Sequence, residues 1–335
     1  MRHVPLAVIG GFLALIFVAF CWRSAPPTLA QSGPAPAQCR VGAYVTSLHD
    51  FDLDLNTFVA DLWLWSVCPT GDRKPLQTME LVNADDIAVL LDSTLERDGA
   101  SWANRKVRGT FRHDWDERNF PFERERLVIL LEEAVEDTRT FVYEADTANT
   151  TFDSAIHVPG WKITDFALLD SHAAYGTTFG DPTLPPGAAS EYSRLTLQIG
   201  LERAELAGFL KLTALAYAAF LFSLVTYVMH LETTTAISPQ LGLLAVALFS
   251  AAVNMVTASD ALGGESQLTL VDKIHIVVLV YLVLAALVAV VSRLLWGRGW
   301  REPTLARLNY LAGGLAAVSF VAINVVLIAS AARGG

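Results

Sequence analysis

Residues 274–295 read IHIVVLVYLVLAALVAVVSRLL, an apolar run in which only His275, Ser292 and Arg293 are polar or charged. A helix of this length crosses the roughly 30 Å hydrocarbon core of a bilayer. Two similar runs precede it, at residues 206–230 and 237–258, and one follows, at residues 308–331. The sequence therefore predicts an all-α bundle of four transmembrane helices over residues 204–331, surrounded by membrane lipid.

Residues 41–203 have a different pattern, in which short alternating runs are separated by turn residues. Val41, Ala43 and Val45 alternate with the residues of a second face. Similar runs follow at residues 57–65, 127–131, 140–143, 161–168 and 194–201. Many short strands at even spacing are typical of an all-β, immunoglobulin-like sandwich.

One segment of this region predicts a helix instead. In residues 85–96, a pair of aspartates precedes apolar side chains at helical spacing, namely Ile87, Leu90, Leu91 and Leu95. An acidic first turn followed by this spacing favours a short amphipathic helix.

The chain begins with the layout of a secretory signal peptide. A basic start precedes the uncharged apolar residues 4–20, and a small-residue approach to a cleavage site ends at Ala30. We expect residues 1–30 to be removed and residues 31–40, rich in Pro, Ala and Gly, to form a linker. The alternative is an uncleaved anchor helix, since the apolar run borders on spanning length.

Charge is distributed unevenly along the chain. Only 17% of residues are charged, against about 25% in soluble domains, which argues against an ordinary cytosolic enzyme. Residues 31–200 contain 27 acidic and 14 basic side chains, and this acidic surface excludes nucleic acid as a partner. Four arginines in residues 293–307 predict a cytoplasmic loop there. We therefore expect a multi-pass protein of the inner membrane, with the sandwich and the C-terminus on the periplasmic side.

No motif indicates an enzyme, a metal site or a cofactor. The sequence contains no Gly-rich phosphate loop, no Gly-x-Ser-x-Gly and no His-Glu-x-x-His. Asp50, Asp52 and Asp54 have the spacing of a calcium loop, but Leu55 and Asp61 stand where that loop needs Gly and Glu. We expect a solvated loop and no catalytic residues.

Two cysteines, Cys39 and Cys68, remain after the leader. Export would place them in an oxidising compartment, and they bracket a predicted hairpin. A disulfide between them and two free buried thiols are both compatible with the sequence.

Several motifs occur in an order that resembles a known family. Residues 119–127 read NFPFERERL, which is similar to the Phe-Pro-Phe-Asp loop of pentameric ligand-gated ion channels, the Cys-loop receptor superfamily. Residues 41–44 and 58–65 resemble the first two strands of that family, and residues 160–161 and 191–196 resemble later strands. Residues 240–272 resemble its second span and outer loop without gaps. The resemblance to the prokaryotic members covers residues 41–331.

The resemblance implies a homopentamer in which the second helix lines an ion pore. The residues it places on the pore are Gly242, Val246, Phe249, Val253, Val256 and Asp260. Apolar rings would close such a pore by excluding water, and five Asp260 carboxylates would favour monovalent cations. A polar stripe of Ser250, Asn254 and Thr257 lies beside this face. A shift of one residue would turn that stripe to the pore, and we follow the alignment.

The resemblance also implies an agonist site and a coupling region. The agonist would be an amine held by aromatic rings, or protons. The residues that match the agonist loops are Tyr175, Phe179 and Tyr192, with Glu144 and Asp146 facing them. The residues that match the coupling loops are Asp52, Phe120, Pro121, Phe122, Glu123 and Arg203, with a pair expected between Glu123 and Arg203.

A second function remains open on the sequence. Pro239 and Gln240 stand at the inner mouth where cation-selective members have Glu followed by a basic residue. Together with the apolar lumen, this would also suit a membrane-anchored extracellular sensor that has the same fold and no conducting pore.

Overall fold

A computed structural model of the chain describes residues 35–204, 206–229, 237–262 and 268–334. Ala37–Gly335 is one compact unit, in which ten strands are followed by four long helices. The predicted signal peptide, residues 1–30, and residues 31–34 of the predicted linker lie outside the described residues. The linker prediction is wrong at its end, because residues 37–40 already belong to the first strand and pair with its neighbours.

The strands form two sheets. Their bounds are β1 Ala37–Asp52, β2 Thr57–Cys68, β3 Met79–Leu81, β4 Ala84–Arg97, β5 Ala100–Arg112, β6 Arg124–Asp137, β7 Phe141–Ala145, β8 Thr151–Phe152, β9 Trp161–Tyr175 and β10 Ser190–Arg203. The first sheet has the order β4-β5-β2-β1-β7, with β8 also paired to β1, and the second has the order β3-β6-β10-β9. β1 runs parallel to β7 and β8, and the other pairs are antiparallel.

The two sheets share one apolar core, as the predicted alternation requires. Phe58 and Leu62 of β2 and Leu197 of β10 are completely buried in it. Each such side chain contributes about 1.5 to 3 kcal/mol by leaving water. The alternating residues of β1 are likewise buried, which confirms the β-sandwich-like architecture of this half.

The prediction of a helix at residues 85–96 is wrong. This segment is β4, an exposed edge strand that pairs with β5 along its length. The register shifts between Val89 and Leu91, so that the apolar side chains change face at this bulge. Ile87 and Val89 line a recess beside the core, and Leu91 and Leu95 follow the bulge. Because the apolar residues lie on both faces of this bulged strand, their spacing in the sequence resembles that of a helix.

The disulfide that the sequence left open is present. Cys39 and Cys68 are bonded across the neighbouring strands β1 and β2, with Cα atoms 4.5 Å apart. Both residues are buried in the sandwich core. The bond closes the β1–β2 hairpin at the end away from its turn.

Four helices follow: α1 Ala207–Val228, α2 Ile237–Asp260, α3 Leu270–Gly297 and α4 Glu302–Gly334. Each is long and apolar enough to cross a membrane, so the chain is a multi-pass membrane protein. Thr269 and Asp272 start α3 with a capping box, in which each side chain accepts the other's backbone N–H. Inside the bundle, the rings of Phe220 and Phe320 stack with centroids 3.6 Å apart.

Candidate functional site

The turn that follows β5 joins the sandwich to the bundle. A 3-10 turn, Glu117–Asn119, leads into Phe120, and the Phe120–Pro121 peptide bond is cis. We call residues 119–123 the Phe120 turn. The Phe120 side chain is buried in an apolar cluster with residues from all four helices: Phe209, Ala258, Leu262, Leu270, Val271, Ile274 and Ala331. Phe122 packs against the same cluster. Since packed interiors transmit displacements, this turn is mechanically tied to the end of α2.

The expected pair between Glu123 and Arg203 is present beside this turn. Glu123 Oε1 accepts hydrogen bonds from Arg203 Nε at 3.2 Å and from Nη2 at 3.0 Å. The guanidinium also lies over two rings, 4.1 Å from the Trp161 centroid and 5.1 Å from that of Phe120. Arg203 ends β10, so the pair attaches the Phe120 turn to the strand that leads into α1.

Three glutamates gather here, and we call Glu117, Glu123 and Glu125 the acidic cluster. Burial, together with the negative charge of Glu123, raises the pKa of Glu117 to about 7. Burial also raises the pKa of Glu123, although Arg203 opposes this shift. Glu125 Oε2 accepts a hydrogen bond from His113 Nε2 at 3.0 Å, and its Oε1 accepts the Asp116 N–H at 2.9 Å.

Asp52 is the last residue of β1, directly before the β1–β2 loop. Its carboxylate accepts the Leu55 N–H at 2.8 Å, and its backbone carbonyl accepts the Trp115 indole N–H at 3.1 Å. These two hydrogen bonds fix the conformation of the β1–β2 loop. In the family that the sequence resembles, the coupling loop of Asp52 would contact the loop between α2 and α3. Residues 263–267 of that loop lie outside the described residues, so this contact stays a prediction.

The helix α2 has one packed face and one open face. Leu244, Ala247 and Ala251 are buried against the other helices. The six residues assigned to a pore, which we call the exposed stripe, are all solvent-exposed in this single chain: Gly242, Val246, Phe249, Val253, Val256 and Asp260. Phe249 is the most open of its large apolar side chains, at 70%. The bundle thus leaves a mostly apolar row of side chains without a partner.

Asn254, from the polar stripe beside these residues, is engaged inside the bundle. Its Nδ2 donates to the carbonyl of Leu212 at 2.8 Å and to His275 Nε2 at 2.7 Å. The His275 Nδ1–H donates to the carbonyl of Val271 at 2.8 Å, so both nitrogens of this buried ring are hydrogen-bonded. Thr257 bonds to the Val253 carbonyl of its own helix. The bonds of Asn254 thus serve helix packing.

At the N-terminal end of α2, Gln240 is turned toward α1. Its Nε2 donates to the carbonyls of Thr226 and Met229 at 3.2 and 3.3 Å. The side chain is buried, so its amide does not reach the exposed stripe.

Tyr175, Phe179 and Tyr192 form a group that we call the aromatic cluster. Their ring centroids are 5.2 to 6.1 Å apart, in edge-to-face contacts. The Tyr175 hydroxyl donates to Glu132 at 2.7 Å, and Arg194 Nε donates to the same carboxylate at 2.6 Å. Phe179 is 64% exposed, which leaves one side of the cluster open.

Glu144 and Asp146 lie elsewhere. Glu144 belongs to β7 in the other sheet and lies 3.9 Å from Arg40. The buried Asp146 carboxylate accepts the Trp65 indole N–H at 2.9 Å and bonds to the Asn149 amide. The structure therefore brings the three aromatic residues together and places both acids away from them in the same subunit.

Sequence reasoning missed Glu117, Glu132 and His275. No motif surrounds these residues, because their burial and their partners arise only when distant strands and helices meet. Among the described residues, no three His, Cys, Asp or Glu side chains come together as a metal site. Comparison of the chain with models of known protein families and with curated protein sequences gives no match.

Proposed function

We propose that the protein is a homopentameric ion channel of the pentameric ligand-gated type, with the pore lined by α2. The observation that carries the proposal is the exposed stripe, because the bundle packs the other face of α2 and leaves this face free to meet further copies of α2. Five subunits around one axis would bring five copies of α2 together. The sequence resemblance assigns the same six residues to the pore.

The chemistry of the stripe supports a gated pore for cations. Rings of Phe249 and Val253 would exclude water from a narrow lumen and so hold it closed. Asp260 ends the helix and would form a ring of five carboxylates at the outer mouth. Such a ring attracts monovalent cations and repels anions.

The contacts of the Phe120 turn support control of this pore from the sandwich. Phe120 packs with Ala258 and Leu262 at the outer end of α2, and Glu123 holds the same turn to Arg203. A change in the sandwich that moves this turn would therefore act on the helix that lines the pore.

The aromatic cluster supports recognition of an amine. Ring faces attract an ammonium group, and the cluster is open on one side at Phe179. Glu144 and Asp146 would face the aromatic cluster of a neighbouring subunit, where Glu144 is the more accessible acid. The proposed agonist is a primary amine or, at the acidic cluster, protons.

The disulfide and the arginine loop support one orientation. A bond between Cys39 and Cys68 suits an oxidising compartment, which agrees with a periplasmic sandwich. The arginines of residues 293–307 then lie on the cytoplasmic side, and the chain ends outside.

The direct test is ionic current from the purified protein in planar bilayers. Currents are recorded over about pH 4 to 8, which spans carboxylate and histidine titration, with and without primary amines. Phe249→Ala should enlarge the current by removing the widest apolar ring, and Leu248→Ala, one residue off the stripe, serves as the control.

Cation-selective current that Phe249→Ala increases and Leu248→Ala leaves alone would support the channel. Silence of all three proteins, with pentamers demonstrated in the membrane, would contradict it. That outcome would favour a membrane-anchored sensor, a function that the absence of charge from residues 237–259 also suits.

A further inference from the structure

The acidic cluster has more negative charge than the groups around it neutralise. Glu123 and Glu125 are almost completely buried, and Glu117 is partly buried beside them. Among the described residues, Arg203 is bonded to the cluster through its guanidinium and Glu123. His113 can add a second positive charge, and it faces Glu125. Three carboxylates therefore share one arginine and one titratable ring.

Two carboxylate oxygens in the cluster have no hydrogen-bond partner among the described residues. They are Glu117 Oε1 and Glu123 Oε2, and both are buried. A buried ionised carboxylate without donors is unfavourable, because burial removes water and nothing replaces it. Protonation relieves this penalty at the cost of one proton taken from solvent.

The charged groups on the neighbouring elements do not remove the penalty. Asp54, on the β1–β2 loop, adds negative charge, and Asp116 is paired with Arg118. The end of α4 packs on the 3-10 turn, and its charged residue, Arg333, is solvent-exposed. Of the described groups around Glu117, the Arg203 charge is the one that lowers its pKa, and burial outweighs it.

We propose that Glu117, with Glu123 and Arg203, forms a proton-binding site that sets how firmly the Phe120 turn is held to β10. Proton binding itself is independent of the proposed channel, and its effect on current rests on that function. Ionised Glu117 attracts the Arg203 guanidinium and competes with Glu123 for it. When a proton from solvent adds to the Glu117 carboxylate, Arg203 is left to Glu123 and the turn is held more tightly.

The Phe120 side chain would transmit a change in the Glu123–Arg203 pair to the bundle. Phe120 lies three residues after Glu117. Its ring lies beneath the Arg203 guanidinium and packs in the apolar cluster at the ends of all four helices. A tighter Glu123–Arg203 pair therefore changes the force on the end of α2. The site links external pH to the exposed stripe.

The first measurement needs no current. The infrared C=O band of protonated carboxyl groups is followed in the full-length protein between about pH 5 and 8, a range in which ordinary glutamates stay ionised. Wild type should lose a band as the pH rises, and Glu117→Gln should lack that component. Glu80→Gln, at an exposed glutamate of β3, is the matched control and should behave as wild type.

The second measurement is the pH dependence of current in bilayers. Glu117→Gln mimics the protonated residue. The pH at which its current is half-maximal should therefore shift by about one unit or more, or the current should no longer depend on pH near neutrality. Glu117→Asp keeps a carboxyl group and should retain the dependence with a moved midpoint, which guards against a variant that assembles poorly.

The outcomes separate the two proposals. A wild-type protein without a titrating carboxyl band overturns the proton site, whatever its current does. A band that disappears in Glu117→Gln, with an unchanged pH dependence of current, overturns the link to the pore. A band that disappears in Glu117→Gln while no protein conducts supports the proton site and contradicts the channel.

Discussion

Glu123 and Arg203, 80 residues apart in the chain, form a hydrogen-bonded ion pair at the point where the sandwich meets the bundle. Glu123 is 2% exposed, and the Arg203 guanidinium is sandwiched against aromatic rings. A backbone hydrogen bond joins the same two residues, because the Arg203 N–H donates to the Glu123 carbonyl at 3.1 Å. The start of α1 is thereby fixed relative to the turn that contacts the end of α2.

The pair predicts an asymmetry between its two partners. Arg203→Ala leaves the Glu123 carboxylate buried with neither oxygen bonded to a side chain, and loss of one partner of a buried pair costs about 3 to 5 kcal/mol. Glu123→Gln removes the buried charge and leaves Arg203 against its rings, so it should cost less. Thermal unfolding of the detergent-solubilised protein measures both.

Glu202→Gln is the control for this comparison, because Glu202 is the neighbouring acid and its pair with Arg124 is exposed. It should change stability by less than about 1 kcal/mol. If Arg203→Ala unfolds at the wild-type temperature and reaches wild-type membrane levels, the pair does not hold the join together.

The disulfide predicts sensitivity to reduction. Cys39 and Cys68 are 29 residues apart, and a closed loop of this length stabilises the folded state by about 3 to 4 kcal/mol. A reductant should therefore lower the unfolding temperature of wild type. The double variant Cys39→Ala/Cys68→Ala should start lower and not respond to reductant. An equal response from both proteins would mean that the bond is not formed in the membrane-expressed protein.

Elements whose apolar residues repeat with a single period could be predicted from the sequence. The four apolar runs became helices, and the alternation at Val41, Ala43 and Val45 became the buried face of β1. β4 was misread because the bulge between Val89 and Leu91 breaks that period. Local spacing cannot reveal a bulge, since the pairing with β5 creates it.

The candidate site was predictable only where a motif preceded it. The Phe-Pro-Phe motif led to Phe120 and Glu123, and the arginine before the first helix led to Arg203. Glu117 lies three residues before the motif and belongs to no motif itself, because its burial depends on packing between the sandwich and the bundle. Asp146 matches the loop that would face the agonist, yet its carboxylate is buried, where it accepts the Trp65 indole N–H.

The polar contact within the bundle predicts that Asn254 stabilises helix packing. Asn254→Ala leaves His275 Nε2 and the Leu212 carbonyl without this donor, which should cost about 1 to 2 kcal/mol in a membrane bundle. Thr257→Val is the control, because Thr257 bonds only within its own helix, and it should be nearly neutral. Equal unfolding temperatures for the two variants in detergent would contradict this role.

The aromatic cluster predicts how an amine agonist depends on Tyr192. Tyr192→Ala removes a ring face, and a cation–π contact of about 0.5 to 2 kcal/mol corresponds to a loss of about 2- to 30-fold in apparent affinity. Tyr192→Phe keeps the face and should bind nearly as well as wild type.

Tyr175→Phe separates the ring from the hydroxyl that donates to Glu132 at 2.7 Å. Because Arg194 still holds Glu132, this variant should keep the cluster in place and change amine affinity little. The measurement is the concentration dependence of current, or of amine binding by calorimetry if no current is found. Should Tyr192→Phe lose as much affinity as Tyr192→Ala, the ring face is not what the amine contacts, and the hydroxyl of Tyr192 would be the recognising group.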